Sequence, residues 1–135
     1  MSTNNKYSLL VCEYANKHYI KSFEKKYKSV WKETWMFIDI MCCNIDKYLT
    51  TTKVEKIFIC DNQYIAKCEF TIAWSNISAH ASWNRIIVYV NEWTKEVHIL
   101  LLYMKTNIWW SGETSWWKEV IKDNHKEIAK IFNIL

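Results

Sequence analysis

Apolar residues recur along this chain with two different periods, and the change of period separates helices from strands. From about Tyr14 to Tyr27 they recur every four positions, which predicts an amphipathic helix whose opposite face carries lysines. The same spacing continues from about Val30 to Tyr48 and predicts a second helix. The apolar stripes of the two helices comprise Ala15, Tyr19, Phe23, Tyr27, Trp31, Trp35, Ile38, Met41 or Cys42, and Ile45.

Shorter apolar runs predict β-strands on either side of these helices. Tyr7 to Cys12 precedes them, and Ile57 to Cys60 follows them before a turn at Asp61-Asn62. Tyr64 to Ala73 then alternates, which predicts a half-buried strand with one polar face. Its apolar positions are Ala66, Cys68, Phe70 and Ile72, and its polar positions are Lys67, Glu69 and Thr71.

The strongest β pattern runs from Asn84 to Lys105, where two β-branched and aromatic runs flank Glu92 to Lys95, and it predicts a β-hairpin. Because side chains alternate along a strand, Tyr103 and Lys105 share one face of the second arm. The two faces of the first arm are Arg85, Ile87 and Tyr89 on one side and Ile86, Val88 and Val90 on the other. We expect the inner, apolar face of the hairpin to consist of Ile86, Val88, Leu100 and Leu102.

A final helical pattern extends from about Thr114 to Phe132, with Asp123-Asn124 as a candidate break. The predicted order is strand, helix, helix, strand, strand, strand, helix. It indicates a single α+β domain over residues 1–135, with a small, mostly antiparallel sheet. We expect the two N-terminal helices to pack on one face of this sheet, with a C-terminal helix besides. The other face, which is polar, is expected to be open.

The bulk composition agrees with one domain of 135 residues. No apolar run approaches the ~18 residues of a membrane span, and the polar first residues do not resemble a signal peptide, so we predict a cytoplasmic protein without membrane contact. The net charge of +4 is compatible with a polyanionic partner. Five cysteines without a CxxC pair predict reduced thiols, and no metal or cofactor is implied.

The chain has nine tryptophans, one glycine and no proline, whereas Gly and Pro normally make up ~7% and ~5% of residues. Tryptophan stands where turns are expected, at Trp74, Trp83, Trp93, Trp109 and Trp110. A biased composition rich in Lys, Asn and Ile is one explanation. Our hypothesis is that several of these residues are glycine in the natural protein, because UGA is read as glycine in some bacterial lineages and as tryptophan under another code.

Three consecutive strand segments resemble RelE/HigB-type toxins of type II toxin–antitoxin pairs. Ile65 to Phe70, Ser82 to Tyr89 and Ile99 to Lys105 are similar to family strands of the form Lys-x-Arg-Phe, Ser-Gly-Gly-x-Arg-Val-Ile-Tyr and Leu-Leu-x-Tyr-x-Lys. The similarity is good over about Tyr64 to Lys105 and topological elsewhere. It implies a RelE-like fold and an endoribonuclease that cleaves mRNA, usually on the ribosome, and is silenced by a cognate antitoxin protein.

The resemblance also implies a metal-independent site on the polar face. In such cleavage the ribose 2′-oxygen attacks the adjacent phosphate, and negative charge accumulates on the non-bridging oxygens. Arg85 would clamp this phosphate with its planar guanidinium. Lys67 and Lys105 would add positive charge. Tyr89 or Tyr103 would stack a base or hydrogen-bond the phosphate.

Four further residues are candidates for this site. Glu69 stands where the family usually has arginine, so it either pairs with a cation, acts as a general base, or weakens the activity. His80 lies in the predicted loop before the arginine strand and is a candidate acid or base. Lys21 and Lys25, on the first helix, are candidate RNA contacts through the attraction of clustered cations for phosphates.

Two other functions are compatible with the same residues. One is a non-cleaving toxin of the ParE type, which inhibits gyrase by binding protein. The other is a catalytically inactive RNA-binding domain with the same fold. The lysine and arginine set favours cleavage, whereas the carboxylate at Glu69 favours an altered or inactive site.

Overall fold

Two helical stretches follow the first strand, as the four-residue spacing predicts, but both are interrupted. The computed structural model describes residues 6–105 and 112–134, so Trp109, Trp110 and most of the predicted linker lie outside the described residues. The helical segments are α1 (Glu13–Ala15), a π-helical turn (Asn16–Ile20), α2 (Lys21–Tyr27), a 3₁₀ turn (Lys28–Val30), α3 (Trp31–Cys43) and α4 (Ile45–Tyr48). Asn44 separates α3 from α4 with non-helical backbone angles (φ −121°, ψ 35°).

Within residues 6–105 and 112–134 the sheet contains five strands, in the order β1-β5-β4-β3-β2. Among the strand pairs in this part of the chain only β1–β5 is parallel, so the sheet is mostly antiparallel, as predicted. The predicted order counted four strands because it took the hairpin as one; its two arms are separate strands in the described part of the chain, which gives five. The bounds are β1 (Ser8–Val11), β2 (Val54–Cys60), β3 (Gln63–Phe70), β4 (Asn84–Asn91) and β5 (Glu96–Met104), with the short helix α5 (Ala79–Ser82) before β4.

The N-terminal helices cover one face of the sheet and form the larger core there. Ile86 and Val88 of β4 and Leu102 of β5 pack in this core, as predicted, against the helical stripe. The buried stripe residues are Ala15, Ile20, Trp31, Ile38, Met41, Cys42 and Ile45. Burial of these residues stabilises the fold by about 25 cal/mol per Å² of apolar surface removed from water.

The C-terminal helices α6 (Glu113–Asn124) and α7 (Lys126–Ile131) cover the second face, so the prediction of an open face is wrong. Ile87 and Tyr103 pack there against Trp117 and Ile121. Every residue of β4 before Asn91 is buried, and strands buried on both faces are apolar on both. The side chains that alternate with Ile86 and Val88 therefore belong mostly to a second core, with polar groups confined to one end.

Leu100 was expected on the inner face with Leu102 but packs in the second core. Ile87 pairs with Leu101, whereas Val88 pairs with Ile99, so Leu100 is an extra residue in β5. Such a bulge shifts the side-chain alternation by one position. The carbonyl of Leu100 accepts a hydrogen bond from His125 Nε2 at 3.2 Å, and burial lowers the pKa of this histidine, which directly precedes α7.

Two of the suspected tryptophans have backbone angles that favour glycine. Trp74 and Trp83 have φ values of 70° and 62°, and the side chain is exposed at both positions. A bulky residue with positive φ is a genuine outlier, and the left-handed region costs it roughly 1–2 kcal/mol. Trp93 is different: it lies in the hairpin loop, where Lys95 takes the positive φ of 59°. The glycine hypothesis therefore gains support at Trp74 and Trp83 but none at Trp93.

Replacing Trp83 by glycine is expected to leave the free energy of unfolding equal or higher, because relief of the positive φ offsets the entropy that glycine gains in the unfolded chain. The matched variant Trp93→Gly has no such strain to relieve, so it should lose about 0.5–1 kcal/mol. Urea denaturation of both variants measures the difference. A larger loss at Trp83 than at Trp93 would contradict the strain argument.

Candidate functional site at one end of the central strands

Three polar residues lie side by side across the central strands of the sheet. In the strand register Glu69 of β3 is opposite Arg85 of β4, and Arg85 is opposite Tyr103 of β5. Residues directly opposite in neighbouring strands point to the same face of a sheet. Glu113, in the first turn of α6, and Lys105, directly after β5, complete a set that we call the polar row.

Glu69 and Arg85 form a buried ion pair. Arg85 Nη2 lies 3.6 Å from Glu69 Oε2, and the two residues are 2% and 8% exposed. Arg85 Nη1 also donates a hydrogen bond to the carbonyl oxygen of Asn84 at 3.1 Å. Of the roles considered for Glu69, pairing with a cation is therefore the one seen in this geometry.

Tyr103 and Lys105 both contact the carboxylate of Glu113. The Tyr103 hydroxyl donates to Glu113 Oε2 at 2.5 Å, and Lys105 Nζ lies 3.9 Å from Glu113 Oε1. Burial and the bond to Glu113 raise the pKa of Tyr103, and Arg85 lowers it by less. The phenol therefore stays protonated and acts as a donor. Lys105 is half exposed, so this end of the polar row reaches solvent.

The sequence reasoning missed Glu113. A usable signal existed, since an acidic residue directly after the only glycine of the chain is typical of the first turn of a helix. What the sequence could not show is that this turn lies against β5.

The other predicted site residues are distributed over the molecule. Half-buried Lys67 shares the face of Glu69, two residues before it on β3, and is opposite Ile87 in the register. Lys21 and Lys25 are exposed on α2. His80 belongs to the short helix α5 rather than to a loop, and the placement of its side chain is outside the described residues.

Tyr89 lies on the same face as Arg85 but is not part of the polar row. It is four residues further along β4, which corresponds to roughly 13 Å. Its hydroxyl donates to Gln63 Oε1 and accepts from Asn91 Nδ2, and its ring packs edge-on against Phe132. One phosphate therefore cannot contact both Tyr89 and Arg85.

Among the described residues there is no group of three or more His, Cys, Asp or Glu side chains that could hold a metal ion. None of the described helices is long and apolar enough to cross a lipid bilayer.

Neither a protein-family model nor a curated protein sequence matches this chain. A solved structure does match: the archaeal RelE–RelB complex from Pyrococcus horikoshii OT3, with 16% sequence identity and a TM-score of 0.50. The match covers 73% of this chain and 94% of the archaeal chain. At this identity the likeness shows the fold, which is RelE-like.

Proposed function

We propose that this chain is the toxin of a type II toxin–antitoxin pair and a metal-independent mRNA endoribonuclease that acts on the ribosome. The observation that supports this most is the pair of contacts that Tyr103 and Lys105 make with the Glu113 carboxylate. A hydroxyl and an ammonium group that converge on one anion are also suited to a phosphodiester. Arg85 is next to Tyr103 in the register and would supply the planar cation.

Access to Arg85 requires movement in this proposal. Arg85 is almost fully buried. The Glu113 carboxylate occupies the place beside Tyr103 and Lys105 that a phosphate would take, which we call the anion position. An RNA phosphate must therefore displace the side chain of Glu113 before it reaches the polar row. Tyr103 and Lys105 then exchange a carboxylate oxygen for phosphate oxygens, so no hydrogen-bonding capacity is lost in the exchange.

The chemistry that we assign to the uncovered polar row is intramolecular transesterification. The 2′-oxygen attacks phosphorus, a 2′,3′-cyclic phosphate forms, and the bond from phosphorus to the 5′-oxygen breaks. Glu69 takes the 2′-hydroxyl proton, and water protonates the leaving 5′-oxygen. Arg85, Lys105 and Lys67 stabilise the charge on the non-bridging oxygens, to which Tyr103 donates a hydrogen bond.

A cognate antitoxin is the protein partner in this proposal. The solved neighbour is a complex of RelE with RelB, and a partner of that kind would silence a chain with the same fold. The remaining partners are mRNA and the ribosome, and the proposed compartment is the cytoplasm.

Inducing the chain in translating cells and sequencing the 5′ ends of mRNA tests the proposed function. Growth arrest with new mRNA ends within minutes is the expected result. Arrest with intact mRNA would reject cleavage and indicate a non-cleaving toxin. Normal growth with intact mRNA would reject the toxin assignment altogether and indicate an inactive domain.

A second candidate function is a ParE-like toxin that acts by binding protein. The observation that favours it is the buried ion pair of Glu69 with Arg85. A guanidinium that is paired with a carboxylate beneath a helix stabilises the fold without binding a substrate. The same induction experiment separates the two candidates, since only the endoribonuclease produces new mRNA ends.

A further inference from the structure

A recess lies next to the polar row, between the first helical stretch and α6. Its volume is about 240 Å³, and the residues that matter in its lining are His18, Tyr19, Ser22, Phe23, Tyr103 and Trp116. Sites for drug-sized ligands are typically ~300–1,000 Å³, so this recess suits one planar ring system. We call it the aromatic pocket.

The walls of the aromatic pocket are rings that pack on one another: Tyr19, Phe23 and Trp116 are partly exposed, whereas Tyr103 is 3% exposed. The Trp116 ring lies 5.0 Å from the Tyr103 ring and 6.5 Å from the Tyr19 ring, in both cases edge to face. The hydroxyl of Tyr19 is further fixed by a hydrogen bond of 3.3 Å with Tyr14. Rings fixed in this way present faces on which a planar, aromatic ligand can stack.

The rim of the aromatic pocket is polar and basic. His18 and Ser22 are exposed and four residues apart, so they lie on the same side of the helix. Their imidazole and hydroxyl groups can donate to and accept from the edge of a heterocycle. Lys25 and Lys26 follow three and four residues after Ser22, also exposed, and place positive charge on the next turn.

We propose that the aromatic pocket binds one unpaired base of an RNA strand whose phosphate lies at the polar row. This inference rests on the proposed function and specifies its substrate as single-stranded. Tyr103 joins the two sites, since its ring lines the aromatic pocket and its hydroxyl contacts the anion position. Stacking on aromatic rings is tolerant of sequence and is the usual way in which proteins hold splayed bases.

Binding of AMP to the full chain, followed by saturation-transfer NMR of the ligand, tests this proposal, with ribose 5-phosphate as the ligand that lacks a base. AMP is expected to receive saturation at its adenine protons, and ribose 5-phosphate is expected to bind at least about tenfold more weakly. Equal binding of the two ligands, or no binding of AMP, would overturn the proposal. The proposal would also be overturned if an apolar peptide displaced AMP and no RNA oligonucleotide did.

A matched pair of variants locates the binding. Ser22→Phe places a ring in the aromatic pocket from an exposed position and should weaken AMP binding at least about tenfold, whereas Ser29→Phe, at an exposed position outside it, should have no effect. Unfolding curves verify that both variants fold. Unchanged binding in Ser22→Phe would refute the assignment. The AMP experiment measures binding and not cleavage, so the two proposals can fail separately. AMP binding without new mRNA ends in the induction experiment would reject only the proposed function. New mRNA ends without AMP binding would reject only base binding in the aromatic pocket.

Discussion

Replacing Arg85 by glutamine is expected to abolish the production of new mRNA ends and to lower the free energy of unfolding by about 3–5 kcal/mol. The stability effect arises because Glu69 stays buried, at 8% exposure, after its cationic partner is removed. The effect on activity arises because no other planar cation occupies the polar row. Urea denaturation followed by circular dichroism and sequencing of mRNA ends measure the two effects separately.

The double variant Arg85→Gln, Glu69→Gln separates folding from function. Its two neutral amides replace the buried ions with groups that can hydrogen-bond, so most of the lost stability should return. Activity should not return, because the double variant lacks both the guanidinium that binds the phosphate and the carboxylate that we assign as the base. Cleavage by a folded double variant would rule out Arg85 as the phosphate-binding residue and leave the ion pair as a purely structural feature.

Replacing Trp117 by alanine is expected to cost about 3–5 kcal/mol of stability. Trp117 is 1% exposed, belongs to the core of the second sheet face and packs edge to face on Phe58 at 5.9 Å. Truncation therefore leaves a cavity between α6 and the sheet that neighbouring side chains fill only in part. Chemical denaturation measures the loss, and hydrogen exchange of the α6 amides reports whether the helix detaches.

Trp93→Ala is the matched control for this prediction. Trp93 is 82% exposed in the hairpin loop, so its truncation should change stability by no more than about 0.5 kcal/mol. A stability loss at Trp117 as small as the loss at Trp93 would mean that α6 does not pack on the second face of the sheet in solution. The burial of Arg85 would then need another explanation.

The hairpin shows how far local sequence rules extend in this protein. Its arms, its loop and the face occupied by Arg85 follow from alternation and turn position alone, and the structure agrees with each. Leu100 marks the limit, because one extra residue in β5 moves it to the other face. Bulges depend on how two strands pair, and a single-strand pattern contains no such information.

The candidate site shows the same division. Alternation along each strand places Glu69, Arg85 and Tyr103 on one face, and this could be predicted from the sequence. That Glu69 is directly opposite Arg85 depends on the register between β3 and β4. That Glu113 meets Tyr103 depends on where the last helix packs, which involves a contact between two separate elements.

The sequence by itself therefore determined most elements of this protein, most faces of its strands and the polar residue types available on them. Only the tertiary structure decided that the second face is covered and that Arg85 is paired with Glu69. It also decided that the Glu113 carboxylate contacts Tyr103 and Lys105. The physical reason is that periodicity is a property of one segment, whereas register, helix docking and desolvation depend on two segments at once. Strand alternation places Arg85 on the face that was predicted to be open. Arg85 is buried because the apolar stripe that contains Trp117 and Ile121, which is distant in sequence, packs on the same face.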